Sequence, residues 1–244
     1  MLDNKVIVIT GATGGLGEPI SRHISSLGAS VVLVDVNAKK LDSIGKDLNC
    51  FTYVLDLLCE EDIKNFVKNI QQKYTNIDGV INCAGITLPS DSESYPTEHW
   101  DKTFKINVTA PFLLCRELLP MMKVSGASIV NITSLNSEMA FPNNPAYVAS
   151  KGALKQLTKS IALDYGKYNI RCNNVGPGYM MTDMTKKSWS NPEMYRERKN
   201  KTVLGRWGSA KDLIGIISFL LSDSSEYITG QDVYVDGGWL IKGL

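Results

Sequence analysis

Long apolar runs are missing from this sequence. Nothing in its 244 residues approaches the roughly 20 consecutive apolar side chains of a membrane span, so no membrane association is expected. An excess of one charge is missing as well. Twenty-six basic against 25 acidic residues leave a net charge of +1, and no basic stripe offers a nucleic-acid surface. Histidine is nearly absent, with His23 and His99 the only two, and the five cysteines (Cys50, Cys59, Cys83, Cys115, Cys172) are scattered and form no C-x-x-C pair. A zinc centre therefore lacks its usual ligand set, and no metal is expected. Reduced thiols fit this odd, dispersed set best. The opening MLDNKVIVITG passes almost directly into a strand pattern, without the ordered regions of a secretory leader. A cytoplasmic protein is expected. Repeats, low-complexity tracts and linkers are also lacking, so residues 1–244 read as a single domain.

What is present is an alternation. Val/Ile-rich runs predict strands at Lys5–Thr10, Ser30–Asp35, Phe51–Leu55, Gly79–Asn82, Ala127–Thr133, Arg171–Val175 and Gln231–Val235. Their continuous apolar character suits strands buried on both faces. Helical patterns lie between them, at Gly17–Leu27, Glu60–Tyr74, Trp100–Met121, Ala146–Tyr165 and Ala210–Ser222. The expected fold is α/β: a Rossmann-type, doubly wound parallel sheet of about seven strands with helices on both faces. Ligands in such sheets bind beyond the carboxyl ends of the strands, which directs attention to the residues just after each one.

The first strand runs into Thr10-Gly11-Ala12-Thr13-Gly14-Gly15-Leu16-Gly17 and then a helix. Glycine permits a tight turn and close backbone approach, and the helix N-terminus offers N–H groups and a favourable dipole to a pyrophosphate. The spacing is G-x-x-x-G-x-G. Asp35 closes the second strand, where a carboxylate can accept from both hydroxyls of an adenosine ribose and repel a 2′-phosphate. Neither Gly14 nor Val36 supplies a cation for that phosphate, so NAD is the expected cofactor. Asp56, with Leu57 beside it, follows the third strand. It is placed either to receive the adenine amino group or to cap the helix that begins near Glu60.

Tyr147 and Lys151 are four residues apart in a helical stretch and share one face. A free tyrosine has a pKa of about 10 and is a poor base at neutral pH; a neighbouring ammonium stabilises its phenolate. Ser134 ends the fifth strand, thirteen residues before the tyrosine, where its hydroxyl can hold a substrate oxygen. Asn107 precedes Pro111 by four residues. Proline has no N–H to return to the Asn107 carbonyl, so a kink is expected there.

These motifs, with Asn82-Cys83-Ala84-Gly85 and Pro177-Gly178 in the same order, resemble the short-chain dehydrogenase/reductase family across essentially the whole chain. Cys83 stands where a second asparagine is commoner. The resemblance implies Tyr147 as general acid/base and Ser134 as the group that orients and polarises the reacting oxygen. It implies that Lys151 lowers the tyrosine pKa and holds the nicotinamide ribose, and that Asn107 positions a water in a proton relay. It implies cofactor contacts from Gly11, Thr13, Gly14, Gly15, Leu16, Gly17, Asp35, Asp56, Leu57, Asn82, Ala84, Gly85, Pro177, Gly178 and Thr182, the last to the nicotinamide carboxamide. It also implies a homotetramer. Residues 179–205 fall where this fold carries a lid over a small-molecule substrate. Between Thr182 and Lys201 six basic residues face three acidic ones, which suits either a solvated helix or an anionic substrate.

Ser134-Leu135-Asn136-Ser137-Glu138, the Pro177–Thr185 stretch and Arg206-Trp207-Gly208 are further similar to gluconate 5-dehydrogenase-like sugar dehydrogenases. A sugar acid or polyol is the expected substrate, with Asn136, Glu138 and Tyr179 as its contacts. Two alternatives remain open: a 3-oxoacyl-carrier-protein reductase, and a catalytically idle NAD-binding regulator on the same fold.

Overall fold

The computed structural model describes residues 2–242. Seven strands form one sheet in the order β3-β2-β1-β4-β5-β6-β7: β1 Val6–Thr10, β2 Ser30–Asp35, β3 Phe51–Val54, β4 Gly79–Asn82, β5 Ala127–Ile132, β6 Ile170–Pro177 and β7 Asp232–Val235. Every pairing is parallel. The expected doubly wound sheet is therefore observed, with small shifts at strand ends.

The winding follows from side-chain alternation. On β1, Val8 points into one apolar layer and Ile7 and Ile9 into the other. The first layer is closed by α3 (Glu60–Gln71), α5 (Ala110–Met122) and α6 (Pro145–Tyr165), the second by α1 (Gly17–Ser26), α2 (Ala38–Leu48) and α9 (Lys211–Leu221). Residues of both parities are thus buried, which is why the strands read as unbroken apolar runs.

β1 pairs β2 on one side and β4 on the other. The strand order reverses there, opening a crevice above Thr10 and Asn82. The loops leaving the two strands meet tightly. Gly11 has φ of +66°, and a Cβ on it would lie 2.8 Å from the Ala84 backbone, so both conformation and space require glycine.

The single helix expected over Trp100–Met121 is instead α4 (Thr97–Phe104), a π-helical turn at Lys105–Thr109, and α5. The anticipated break at Asn107 takes the form of that wide turn, in which the Ala110 N–H reaches back five residues to the Lys105 carbonyl. β6 runs two residues past the expected Val175 and pairs Pro177 with Val235. The segment after it is helical: α7 (Lys186–Trp189) and α8 (Pro192–Lys201), followed further on by α10 (Trp239–Lys242). No helix among the described residues is long and apolar enough to cross a membrane.

Candidate active site

Two adjoining clefts lie at the carboxyl ends of the strands. The first, of about 370 Å³, runs from Asp35, Val36, Asp56 and Leu57 across the Gly11–Gly17 loop to Ala84, Gly85 and Thr182. Its length and glycine floor fit an extended dinucleotide. Gly15 is essential to the closure, because a Cβ there would sit 2.9 Å from the Thr182 side chain. Leu16 is the N-cap of α1 and provides no side-chain cap; the Glu18 N–H goes to the Gly14 carbonyl at 3.1 Å and Pro19 has none, so Gly17 is the first-turn residue that lines the cleft.

Asp35 holds the acidic end. Its carboxylate accepts from the Thr13 N–H at 2.9 Å and from the Asn37 N–H at 3.0 Å, and so ties the glycine loop to the end of β2. Val36 stands at the rim, 64% exposed. Asp56 accepts from the Leu58 N–H at 2.9 Å and does not cap α3, whose N-cap is Cys59. The structure thus removes the capping role and leaves Asp56 in a turn that lines the cleft. Asn82 belongs to the sheet rather than to either main cleft. Its amide donates to Asn131 at 2.7 Å and approaches the Cys115 sulfur at 3.6 Å. A buried amide on a central strand needs such partners, and the strand interior supplies them.

The second cleft, of about 390 Å³, shares Leu16, Cys83, Gly85, Thr182 and Met184 with the first. Ser134, Asn136, Tyr147, Lys151, Pro177, Gly178 and Tyr179 all line it. Ser134 leaves β5 in an extended conformation and caps a 3₁₀ turn, Leu135–Ser137. Its hydroxyl donates to the Asn136 carboxamide at 3.1 Å and accepts from the Asn136 N–H at 3.2 Å. Burial pushes the Tyr147 phenol above its usual 10, an effect that the neighbouring Ser134 hydroxyl offsets only in part. Lys151 is 4% exposed. Burial lowers its pKa from 10.5 to about 8, and its Nζ donates to the Ile132 carbonyl at 2.7 Å. That Nζ lies 5.6 Å from the centre of the Tyr147 ring. The net shift of Tyr147 is therefore upward, against the expected depression, because desolvation outweighs the contacts of the phenol.

Asn107 is fully buried. Its side chain accepts from the Ile86 N–H at 2.9 Å and donates to the Ile86 carbonyl and the Ser150 hydroxyl, both at 3.0 Å. Gly85 separates it from Lys151: a Cβ on Gly85 would lie 3.4 Å from the Asn107 Oδ1 and 3.5 Å from the Lys151 Nζ. The side-chain oxygen of Asn107 and the ammonium of Lys151 thus flank Gly85, whereas the sequence points to the backbone carbonyl of Asn107.

Glu138 is not brought to the cleft. It pairs with Lys155 and accepts from the Tyr234 hydroxyl at 2.6 Å. The 3₁₀ turn carries it away from Ser134 toward β7, where a cation and a phenol are already waiting. Sequence reading also missed several wall residues: Phe141, Thr87, Asn144 and Met194. Thr87 and Asn144 bond each other across the mouth at 2.8 Å. Met194 and Arg198 are four apart on α8, so their helical spacing was the one signal available.

A dinucleotide-length cleft at the switch point, abutting a Ser–Tyr–Lys pocket, defines the class: an oxidoreductase on a Rossmann-type fold. Comparison with known proteins agrees. Residues 11–240 match the family profile described as enoyl-(acyl carrier protein) reductase, and the chain belongs to the short-chain dehydrogenase/reductase family.

Similar proteins include the NAD-dependent glycerol dehydrogenase of Listeria innocua, 33% identical over 99% of this chain and 96% of that one. A 3-oxoacyl-[acyl-carrier-protein] reductase of Thermotoga maritima is 35% identical, covering 98% and 99%. The gluconate 5-dehydrogenase of Gluconobacter oxydans is also 35% identical, covering 95% and 93%. Among solved structures, an Agrobacterium tumefaciens protein provisionally described as a gluconate dehydrogenase superposes with a TM-score of 0.96 at 30% identity, covering 100% and 98%. A Burkholderia cenocepacia gluconate 5-dehydrogenase with NADP and tartrate gives 0.94 at 27%, covering 98% and 96%. A 4-hydroxyisoleucine dehydrogenase with NADH gives 0.93 at 34%, covering 99% and 100%.

Proposed function

We propose that this protein is an NAD-dependent dehydrogenase that oxidises a secondary hydroxyl of a sugar acid or polyol. The observation that carries the reading is the convergence of Ser134, Tyr147 and Lys151 in one cleft that opens onto the glycine-floored cleft. Bound NAD would supply the hydride acceptor. The remaining chemistry belongs to the chain. Ser134 holds the substrate oxygen and orients the carbon that bears it. Tyr147 takes the hydroxyl proton as its own phenol proton leaves along the path behind it, an exchange of general acid/base type. Lys151 and Asn107 stand behind the tyrosine to hold the ribose and a proton path. Gly11, Thr13, Gly14, Gly15, Leu16 and Gly17 cradle the pyrophosphate, and Thr182 closes over the nicotinamide end.

The Asp35 carboxylate and the lack of a cation at Gly14 and Val36 support NAD over NADP. The activities of the glycerol and gluconate relatives support the substrate class. The 3-oxoacyl-carrier-protein reductase remains the second reading, because a relative of that activity is equally similar. An intact Ser–Tyr–Lys set argues against an idle regulator. We further read the chain as one catalytic domain with residues 179–205 as a substrate lid, acting in the cytoplasm.

The test is a panel of sugar acids, polyols and 3-oxoacyl thioesters with NAD(H) and NADP(H), run on the wild-type enzyme and on Tyr147→Phe. We expect turnover of a sugar acid or polyol with NAD, lowered about 10²–10⁴-fold in the variant. Efficient reduction of thioesters with silence on every sugar acid and polyol overturns the reading.

A further inference from the structure

Of the six basic residues between Thr182 and Lys201, only Arg198 lines the Ser–Tyr–Lys cleft. Lys186, Lys187, Arg196, Lys199 and Lys201 are all exposed. α8 turns Met194 and Arg198 toward the cleft and leaves its other cations, Arg196, Lys199 and Lys201, in solvent, as α7 does Lys186 and Lys187. The arginine side chain is 19% exposed, and its guanidinium carbon lies 5.0 Å from the centre of the Tyr179 ring. Tyr179 is itself fixed, stacked on Trp239 at 5.0 Å and edge-on to Trp207 at 5.3 Å. The cation therefore rests on a rigid aromatic floor.

Its donors are incompletely used. Nη1 donates to Glu197 at 3.0 Å, a carboxylate 51% exposed and 3.9 Å from Lys201. Nε is buried and has no partner among the described residues. Burying a guanidinium donor without a partner is costly, so the position makes sense when a ligand completes it. A second buried donor without a partner, Nδ2 of Asn136, belongs to the same cleft. It lies on the amide whose oxygen holds the Ser134 hydroxyl. One end of the cleft thus offers an unpaired amide donor beside the reacting position, and the lid offers a cation with an unpaired donor.

We propose that Arg198 is the residue that selects an anionic substrate, binding the carboxylate of a hydroxy acid, while Asn136 donates to an oxygen next to the reacting carbon. This rests on the dehydrogenase reading above and narrows it, favouring the acid over the neutral polyol. Charge and fork geometry together suit a carboxylate. The aromatic floor holds the guanidinium in place before binding, which lowers the ordering cost.

The test compares D-gluconate with its neutral counterpart D-glucitol, with NAD, in the wild type, Arg198→Gln, Arg198→Lys and Arg196→Gln. The wild type should prefer the acid. Arg198→Gln should lower the acid-to-polyol ratio of kcat/KM by about tenfold to a hundredfold, the span expected for a charge-assisted contact, chiefly through KM for gluconate. Arg198→Lys keeps the charge and should restore part of the ratio. Arg196→Gln, on the exposed face of the same helix, should leave the ratio unchanged. An unaltered ratio in Arg198→Gln overturns the proposal, as does a wild type that prefers glucitol. In both cases the dehydrogenase reading survives. Inactivity on sugar acids and polyols alike removes both.

Discussion

Lys151 shows how far a single residue can depart from what stability alone favours. It is almost completely buried, and that burial lowers its pKa from 10.5 to about 8. Below pH 8 the folded protein carries a charged ammonium in a poorly solvated place. Between about 8 and 10.5 the unfolded chain binds more protons than the folded one, so the cost is progressively relieved as pH rises through that window. The interval corresponds to roughly 3 kcal/mol at most, reduced by about 1 kcal/mol for the hydrogen bond to Ile132. Lys151→Met should therefore be more stable than the wild type near pH 7, by about 1–2 kcal/mol in urea unfolding, and that advantage should shrink toward pH 10. A less stable variant with a pH-independent gap would show that the ammonium is fully compensated where it lies. Sequence reading identified this residue and its helical relation to Tyr147. It could not give the sign of the tyrosine shift, because desolvation depends on chain segments far away in sequence.

Between α4 and α5, the π-helical turn performs a task that neither helix does alone. A wide turn rotates Asn107 inward, and its amide then bridges Ile86 and the Ser150 hydroxyl of α6. Three segments are joined by one side chain that is fully buried. Asn107→Ala would leave the Ile86 N–H and carbonyl and the Ser150 hydroxyl without these partners. We expect a loss of about 2–3 kcal/mol, read from the urea midpoint, together with weaker cofactor binding by fluorescence titration. Wild-type stability in that variant would mean that water or a neighbouring group replaces the amide at little cost. Pro111 made a break legible here, since it has no N–H to return. The kind of break was not legible, because the Ile86 backbone that rewards it lies 21 residues earlier, beyond the end of β4. The neighbouring 3₁₀ turn behaves in the same way. Ser134 and Asn136 stay at the cleft while Glu138 is drawn off by Lys155 and Tyr234, partners brought by α6 and β7.

At the scale of the molecule, the question is what covers the apolar surface that the sheet does not use. Leu154, Leu157 and Ile161 read as an apolar stripe on α6, but Leu157 and Ile161 pack into the layer against the sheet and Leu154 is buried as well. Other apolar side chains remain outside: Trp100 on α4, Phe112 on α5 and Leu163 on α6, the last 85% exposed. Helices buried on one face by the sheet and apolar on another are suited to a second copy. A homotetramer is the expected assembly, and light scattering at micromolar concentration should give four times the 26.9 kDa chain mass. Phe112→Asp combined with Leu163→Asp should lower that mass. A monomeric wild type would refute the expectation.

Strand alternation, the glycine loop, Asp35, Asn107, Ser134 and the Tyr147–Lys151 spacing were all readable from the chain, because each depends on local periodicity or on a residue type with few substitutes. A buried parallel strand must be apolar at every position, and a helix face repeats every three to four residues. Contacts between distant segments were decided only by folding. They include the union of two clefts along Leu16, Cys83, Gly85, Thr182 and Met184, the assignment of Asn82 to the sheet interior, and the withdrawal of Glu138. They also include the choice of Arg198 from among six cations. Local sequence specifies which side chains share a face. Only tertiary packing determines what that face meets, and with it the burial that sets charge, pKa and the donors left for a ligand.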